Sequence, residues 1–593
     1  MEKWQTELYA TPLWLLNTTA AVCITLAVLA FLAGKTRFGK EFSYILRPCL
    51  NRKSVFKISL LMLLMLVLLL SEVRLNVLST FMSNGLYSSM QDLNIHAFWM
   101  FAAMNVSVVL LRTFNGVIND FLDQSLAIKW SEKLNAVLLK RWLESKNYYR
   151  LQMRRHAPDN IDQRIQQDAQ EFIQSTVEFI RGMIHSVVSS IEFAVVLWGL
   201  AGILHIFGFD IPHGIVFFVF TFVLLATAIA MWIGHPLIKH NYNNEKLNGN
   251  YRYSLIRIRN HAESIAFYDG EIRERKQLDE RFAAIIRNRW RIARQSVALG
   301  GFNDMFSQGV QLLPIILQAP RLFAGQIKIG DIQQTVQSFA RLQRALSFFR
   351  LFYEEFTVYR ARLERLYGFL SDLNSHPAAR SAQHCLSNNL ILKDFTLYRA
   401  DGSVLIGPVN TAIRAGDSLL IQGSSGCGKT SLLRSLAGLW PFGSSGHVHT
   451  PPAADVFFIP QRPYVPEGTL EQAICYPDIH ASRKELLASM QECLLGHLTD
   501  KLDIRDDWQH KLSPGELQRI AFVRILLNRP HTVLLDEASS ALDESSEAQL
   551  YRLIRERLPD SMIISIGHRS SLSAFHNHFL SVHGNPQSLS QPC

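Results

Sequence analysis

Charge is scarce in this chain. Of its 593 residues only 19% are Asp, Glu, Lys or Arg, against about 25% in an ordinary soluble domain. Hydrophobic residues make up 48%, and the mean hydropathy is +0.08. So low a charge density excludes disorder, and 32 Gly with 21 Pro, neither periodic, exclude a collagen-like fibre. Cysteine is sparse and scattered: Cys23, Cys49, Cys385, Cys427, Cys475, Cys493 and Cys593, with no CxxC pair. A disulfide framework and a zinc site are therefore not expected, and free thiols suit a reducing compartment for the soluble part. What the chain has instead is long apolar runs, so part of it is solvated by lipid.

The net charge of +10 is unevenly spread. Residues 386–593 hold 18 Lys/Arg and 21 Asp/Glu, a balance of −3, and residues 1–385 hold 42 and 29, a balance of +13. The basic excess lies in the lipid-rich half, where positive cytoplasmic loops are expected. Nucleic acid is not an expected partner. Seven spans are read: 8–34, 58–80, 93–111, 193–209, 211–238, 305–320 and 332–352, the last interrupted by Arg341 and Arg344. The first lacks a basic leader, with Lys3 set against Glu2 and Glu7, and is too long for a signal-peptide core, so a retained anchor is expected. Residues 35–57 carry seven Lys/Arg and residues 79–111 none. That asymmetry puts the first loop in the cytoplasm, the next turn outside, and the N-terminus outside. Segments 113–180 and 236–294 are charged and helical in period, and read as helices running on into the cytosol.

The domain boundaries read as 1–55 for an N-terminal span and basic segment, 56–370 for a core membrane domain, 371–388 for a linker and 389–593 for an α/β domain. Glu192 lies at the third core span, and Glu72 and Arg74 close the first. Charges in a span usually face a bundle interior or a wet cavity, although residues near span ends also snorkel.

The chemistry sits in the C-terminal part. Gly423-Ser424-Ser425-Gly426-Cys427-Gly428-Lys429-Thr430 fits GxxxxGK[ST] between an apolar strand, SLLIQ, and a helix that begins at Ser431. Its backbone N–H groups and helix N-terminus suit phosphate oxygens, with Lys429 reaching the β- and γ-phosphates and Thr430 on Mg²⁺. Asp536 and Glu537 end the apolar run TVLLDE, placing a metal ligand and a general base 107 residues after Lys429 and Thr430 respectively. Leu512-Ser513-Pro514-Gly515-Glu516 precedes that strand, Ser540-Ala541-Leu542-Asp543 follows it, Gln461 lies between the loop and LSPGE, and His568 ends the strand SMIISIGH. Each piece alone is bland; their order and spacing together are not.

On these motifs, residues 389–593 resemble the nucleotide-binding domain of an ABC transporter. The resemblance implies ATP and Mg²⁺ as cofactors and two domains paired head to tail, with Ser513 and Gly515 reaching the γ-phosphate in trans. It implies that His568 orients Glu537 and the attacking water, that Gln461 joins the metal shell and couples the site to the membrane helices, and that Asp543 crosses the interface. It implies that Tyr398, 25 residues before Gly423, stacks on adenine. The signature departs from LSGGE at Pro514 and has Leu517 where Gln is common, but keeps the Ser and Gly. One membrane half and one nucleotide domain require a second copy, most simply in a homodimer.

The membrane half, in YYRLQMRRHAPDNIDQRIQQDAQEF (148–172), LNVLSTFMSNGLYSSMQDLNIHAFW (75–99) and HAESIAFYDGE (261–271), resembles the SbmA/BacA-related and ABCD-type half-transporters. The type IV architecture this implies has six core helices plus one N-terminal helix. Its cytoplasmic loops dock on the nucleotide domain, here through Asp159, Asp162, Gln163, Arg164 and Asp168, and through Glu263, Tyr268, Gly270 and Glu271. Two substrate classes follow from the resemblance: bulky hydrophilic solutes such as cobalamin, bleomycin-like compounds and peptides, or fatty acids and their CoA esters. A non-transporting ATP-regulated switch is the third reading.

Overall fold

The computed structural model describes residues 3–49, 52–154, 161–200, 203–206, 209–212, 214–374, 382–452 and 455–582. The chain divides into two compact units, residues 1–144 with 159–374, and residues 145–158 with 375–593.

The first unit is helical: α1 (Lys3–Lys35), α2 (Arg37–Leu46), α3 (Arg52–Gln91) and α4 (Ile95–Leu143). After α5 (Asn147–Gln152), which belongs to the second unit, come α6 (Ile161–Gln163), α7 (Ala169–Leu200), α8 (Gly214–Asn260), α9 (Ala262–Phe267), α10 (Glu271–Phe323) and α11 (Ile329–Asn374). Five helical stretches are long and apolar enough to cross a membrane: Trp4–Lys35, Phe56–Gln91, Ile95–Gln152, Ile161–Leu200 and Val216–Asn260. The expected spans 305–320 and 332–352 lie on α10 and α11 and are helical, but those helices are too polar for that criterion. On α11 the polarity faces inward, where Gln334, Thr335, Ser338, Gln343 and Ser347 are buried.

Two expectations change here. The run 193–209 is not one span. Helix α7 stops at Leu200, and β1 (Ile203–Ile206) and β2 (Phe209–Pro212) pair antiparallel, with Ile203 opposite Pro212. A short apolar run rich in Ile and Phe suits a strand as well as a helix, and periodicity cannot separate the two. The membrane stretch is instead completed upstream, where Arg181 is neutralised by Asp120 at 2.9 Å and by Asp123. The basic segment 35–57 is likewise no plain loop. Thr36 caps α2, whose Phe38 and Phe42 pack on Phe172, Phe356 and Tyr359.

Helix α1 rests on the core through Trp14, Leu15, Val22 and Leu26, against a cluster of Leu66, Leu69, Leu70, Val73, Ile184 and Val188. Its other faces, with Leu13, Leu16, Ile24 and Phe31, stay exposed as lipid contact requires.

The second unit is α/β. A five-stranded sheet of β6 (Ser418–Gln422), β8 (Val456–Ile459), β11 (Thr532–Asp536), β12 (Met562–Ile566) and β13 (His578–Ser581) has the order β13-β6-β12-β11-β8, every pair parallel. A second sheet has the order β3-β7-β4-β5, from β3 (Gln383–Leu386), β4 (Leu390–Tyr398), β5 (Val404–Ile413) and β7 (Ser444–Thr450), while β9 (Gly468–Thr469) pairs antiparallel with β10 (Arg505–Asp506) near the short helices α13 (Leu470–Ile474), α14 (Arg483–Glu492) and α15 (Trp508–Lys511) in the sequence. The linker expected over 371–388 is shorter: α11 runs to Asn374, and β3 already pairs with β7 from Gln383. In β11 and β12 every residue is buried, the near-continuous apolar reading of a parallel sheet covered on both faces.

Candidate nucleotide site

In an open parallel sheet, ligands bind beyond the carboxyl ends of the strands. Four site segments leave from such ends: the phosphate loop after β6, Gln461 after β8, Glu537 after β11 and His568 after β12. The loop's shape depends on glycine. Gly423 and Gly428 have φ of 154° and 106°. A Cβ on Gly423 would sit 2.3 Å from Val582 O, and one on Gly428 would sit 2.8 Å from Ile406 Cδ1. The loop opens into α12 (Lys429–Leu436), with Gly428 at the N-cap. Lys429 Nζ donates to the Gly423 and Ser424 carbonyls at 2.7 and 3.0 Å, curling over its own loop. Ser424 to Gly426 border that curl, Cys427 is buried in the core beneath it, and Ser431 follows Thr430 in the first turn of α12.

Thr430 Oγ1 donates to Asp536 Oδ1 at 3.0 Å. The two oxygens are hard donors suited to Mg²⁺, and the glycine cradle with its lysine suits triphosphate, so the residues present fit ATP·Mg. Burial pushes the Asp536 carboxyl above its ordinary range, partly offset by the Thr430 hydrogen bond; a bound cation would relieve that penalty.

Glu537 has φ +50°, a left-handed conformation for a residue with a side chain, fixed by its N–H to Ile566 O at 3.1 Å. That turn swings its carboxylate off the strand line. Gln461 Nε2 donates to Oε2 at 2.8 Å, and His568 Nε2 lies 3.4 Å from Oε1. Gln461 and His568 therefore converge on the half-buried Glu537 carboxylate, bringing together the three polar groups expected around the attacking water.

Helix α16 (Pro514–Asn528) starts on a capping box. Ser513 and Glu516 satisfy each other's backbone N–H, and Pro514 takes the first helical position, where a missing N–H is no loss. The departure from LSGGE thus strengthens a helix start and leaves Ser513 and Gly515 in place. Burial raises the Glu516 carboxyl, but hydrogen bonds from His497 (2.7 Å) and Ser513 outweigh it and hold it down to about 2. Asp543 caps α17 (Glu544–Arg557), accepting from Ser546 N at 3.1 Å. Tyr398, at the end of β4, is tied by its hydroxyl to Ser445 at 3.0 Å.

Several residues carry no motif and were missed. Buried Gln518 donates to Gln461 O (3.3 Å) and Ser540 Oγ (3.2 Å) and accepts from Ala541 N (2.9 Å), joining three site segments. Arg569 donates to Leu542 O (2.7 Å) and Ser540 O (3.2 Å). Nothing in the sequence but their adjacency to LSPGE and His568 points to them.

In the helical unit, Asp168 is buried against Arg365 at 3.2 Å, and Arg164 donates to Arg365 O at 3.1 Å. Asp162 and Gln163 lie on α6 in the same unit, and Asp159 lies outside the described residues. The second unit includes α5, where Asn147 and Leu151 are buried and burial raises the Tyr149 hydroxyl. Glu263 lies in α9, Tyr268 caps its end, and Gly270 and Glu271 begin α10, with Phe267, Tyr268 and Ile272 79%, 85% and 85% exposed. Arg74 is buried on α3 between Glu7 (2.7 Å) and Glu192 (3.7 Å), and Trp14 Nε1 donates to Glu192 at 2.7 Å.

Comparison with known proteins agrees with this geometry. Residues 45–323 match the family described as ABC transporter transmembrane region 2, and residues 406–540 match the ABC transporter family. The chain is 50% identical to an uncharacterized ABC transporter ATP-binding protein of Haemophilus influenzae, over 97% of this chain and 98% of that one. It is 29% identical to the inner membrane ABC transporter ATP-binding protein YddA of Escherichia coli, over 89% and 95%. It is 28% identical to the lysosomal cobalamin transporter ABCD4 of Mus musculus, over 84% and 87%. The chain therefore belongs to the ABC transporters, as a multi-pass membrane protein related to the ABCD-like half-transporters, whose ATP-binding domain is an ATPase coupled to transport.

Proposed function

We propose that two copies of this chain form a homodimer in the bacterial inner membrane, N-terminus outside, that imports a bulky hydrophilic solute. The observation that carries the reading is the polar interior of the helical unit. Asn76, Thr80 and Ser83 on α3, Ser186 and Ser189 on α7, and Gln334 on α11 are buried there. Buried polar side chains within spans mark substrate paths, whereas an apolar carrier would line its path with hydrocarbon. Cobalamin, named for the ABCD4 relative, and the peptide and glycopeptide solutes of SbmA/BacA-like proteins belong to the hydrophilic class.

In each site, Lys429 and the backbone N–H groups of 423–431 hold the phosphates, and Tyr398 stacks on the base. Thr430, Asp536 and Gln461 would hold Mg²⁺, which would supply neutralisation of charge on the phosphate oxygens. Glu537 accepts a proton from the attacking water, and His568 orients both. Ser513 and Gly515 of the second copy close over the γ-phosphate, with Asp543 at the shared surface. The segments 145–158 and 261–271 carry the motion to the helices.

The test is ATPase of the full chain in nanodiscs with cobalamin or an acyl-CoA added. Stimulation by cobalamin but not acyl-CoA supports the hydrophilic path. The reverse pattern replaces it with a lipid-type substrate, and binding without turnover replaces it with a switch.

A further inference from the structure

A cavity of about 730 Å³ opens in the helical unit between α3, α4, α7 and α11. Its charged lining is Arg112, Arg341, Arg344 and His185, with Glu72 the one carboxylate. Among the described residues, no carboxylate oxygen lies within 4 Å of any of the three guanidiniums. Arg112 donates to the Asn76 amide oxygen at 3.3 Å, Arg344 to Ala340 O of its own helix at 3.4 Å, and Arg341 lies over the Phe193 ring at 5.7 Å.

Elsewhere the same unit treats arginine differently. Arg74 and Arg181 each meet two carboxylates, as expected where a guanidinium is structural. Snorkelling does not explain the two on α11: Arg341 and Arg344 are 12 and 15 residues into it, about 18 and 22 Å from the helix start at 1.5 Å per residue, whereas Arg112 follows directly on the apolar run 93–111. Three cations against one anion leave an excess positive charge in a space walled by Asn76, Ser186, Ser189, Phe193 and Phe348, and the guanidinium fork fits a carboxylate, phosphate or sulfonate in two hydrogen bonds. A cationic solute would meet like charge there.

We infer that Arg112, Arg341 and Arg344 form a recognition site for an anionic group of the carried solute. The inference rests on the hydrophilic-transport reading and narrows it to solutes bearing a carboxylate, phosphate or sulfonate.

The experiment uses the full chain in nanodiscs of phosphatidylcholine, without ATP and with excess ADP to cover the phosphate loop. Binding of hydroxypyrene trisulfonate is followed by fluorescence anisotropy. Wild type should bind saturably and more weakly as salt rises. R341Q/R344Q should bind at least about tenfold more weakly, and R341K/R344K, which keeps the charge, within about threefold of wild type. Equal binding by wild type and R341Q/R344Q, with both proteins monodisperse and equally able to bind ADP, overturns the site; so does absence of binding by wild type. Loss of wild-type binding when phosphatidylglycerol is added to the disc assigns the site to a lipid headgroup and overturns the solute reading. Cobalamin-stimulated ATPase is read separately. Its absence beside arginine-dependent trisulfonate binding overturns the transport reading and leaves the anion site standing.

Discussion

Gln461 donates its side-chain N–H to the Glu537 carboxylate at 2.8 Å, joining the carboxyl ends of two neighbouring parallel strands, β8 and β11. The bond holds the proposed base in place while its backbone sits at φ +50°. Replacement of Glu537 by Gln keeps the shape and removes the proton acceptor. ATPase should fall by at least about a hundredfold, with ATP affinity within a few fold of wild type. Steady-state turnover and equilibrium nucleotide binding check both. Turnover within tenfold of wild type would remove Glu537 as the base.

Asp536 is a carboxylate that burial penalises. A raised folded pKa means the native state holds the proton more tightly than the unfolded chain. The contribution of this group to stability is therefore full at low pH and is lost as pH rises through the folded pKa. Asp536→Asn keeps an oxygen for the Thr430 hydroxyl and removes the charge. At neutral pH it should leave the melting temperature of the nucleotide-free protein equal or higher while abolishing Mg²⁺-dependent ATPase. A drop of several degrees would show that the charge is stabilising even without a cation.

Arg74 fastens α1 to the core through Glu7 and Glu192. Arg74→Met leaves two carboxylates without their cation and should destabilise the helical unit by about 3 kcal/mol. Arg74→Met with Glu192→Gln and Glu7→Gln should recover most of that loss. Melting in detergent reads the difference. A single variant as stable as wild type would mean that α1 is held by its apolar face alone.

Pro514 occupies the first position of α16. Pro514→Gly restores the usual signature residue but frees the unfolded chain, so it should cost about 0.4–1 kcal/mol in stability with ATPase changed less than about threefold. A large gain in turnover would identify Pro514 as a brake on hydrolysis.

The nucleotide site was legible in the sequence because its geometry is local. Glycines at fixed offsets, a lysine at a helix start and carboxylates at a strand end each need only their neighbours to be recognised. The partners joined across the chain were not legible. Gln518 and Arg569 act through backbone atoms of distant loops, and the contact of Arg74 with Glu192 crosses 118 residues. The pairing of β1 with β2 was missed because so short a segment has no period of its own to declare. The inward polarity of α11 lowered its apparent hydrophobicity, so the helix that lines the proposed path was the weakest span on paper.

The most direct measurement is the movement of labelled cobalamin across the membrane of proteoliposomes holding the full chain with its nucleotide domains outward, wild type beside Glu537→Gln, with and without ATP. Import moves solute toward the nucleotide domains, so vesicles preloaded with cobalamin should lose it in an ATP-dependent way with wild type and retain it with Glu537→Gln. ATP-dependent accumulation inside the vesicle would contradict import. Equal retention by both proteins, at a wild-type ATPase rate that cobalamin does not raise, would contradict cobalamin transport altogether.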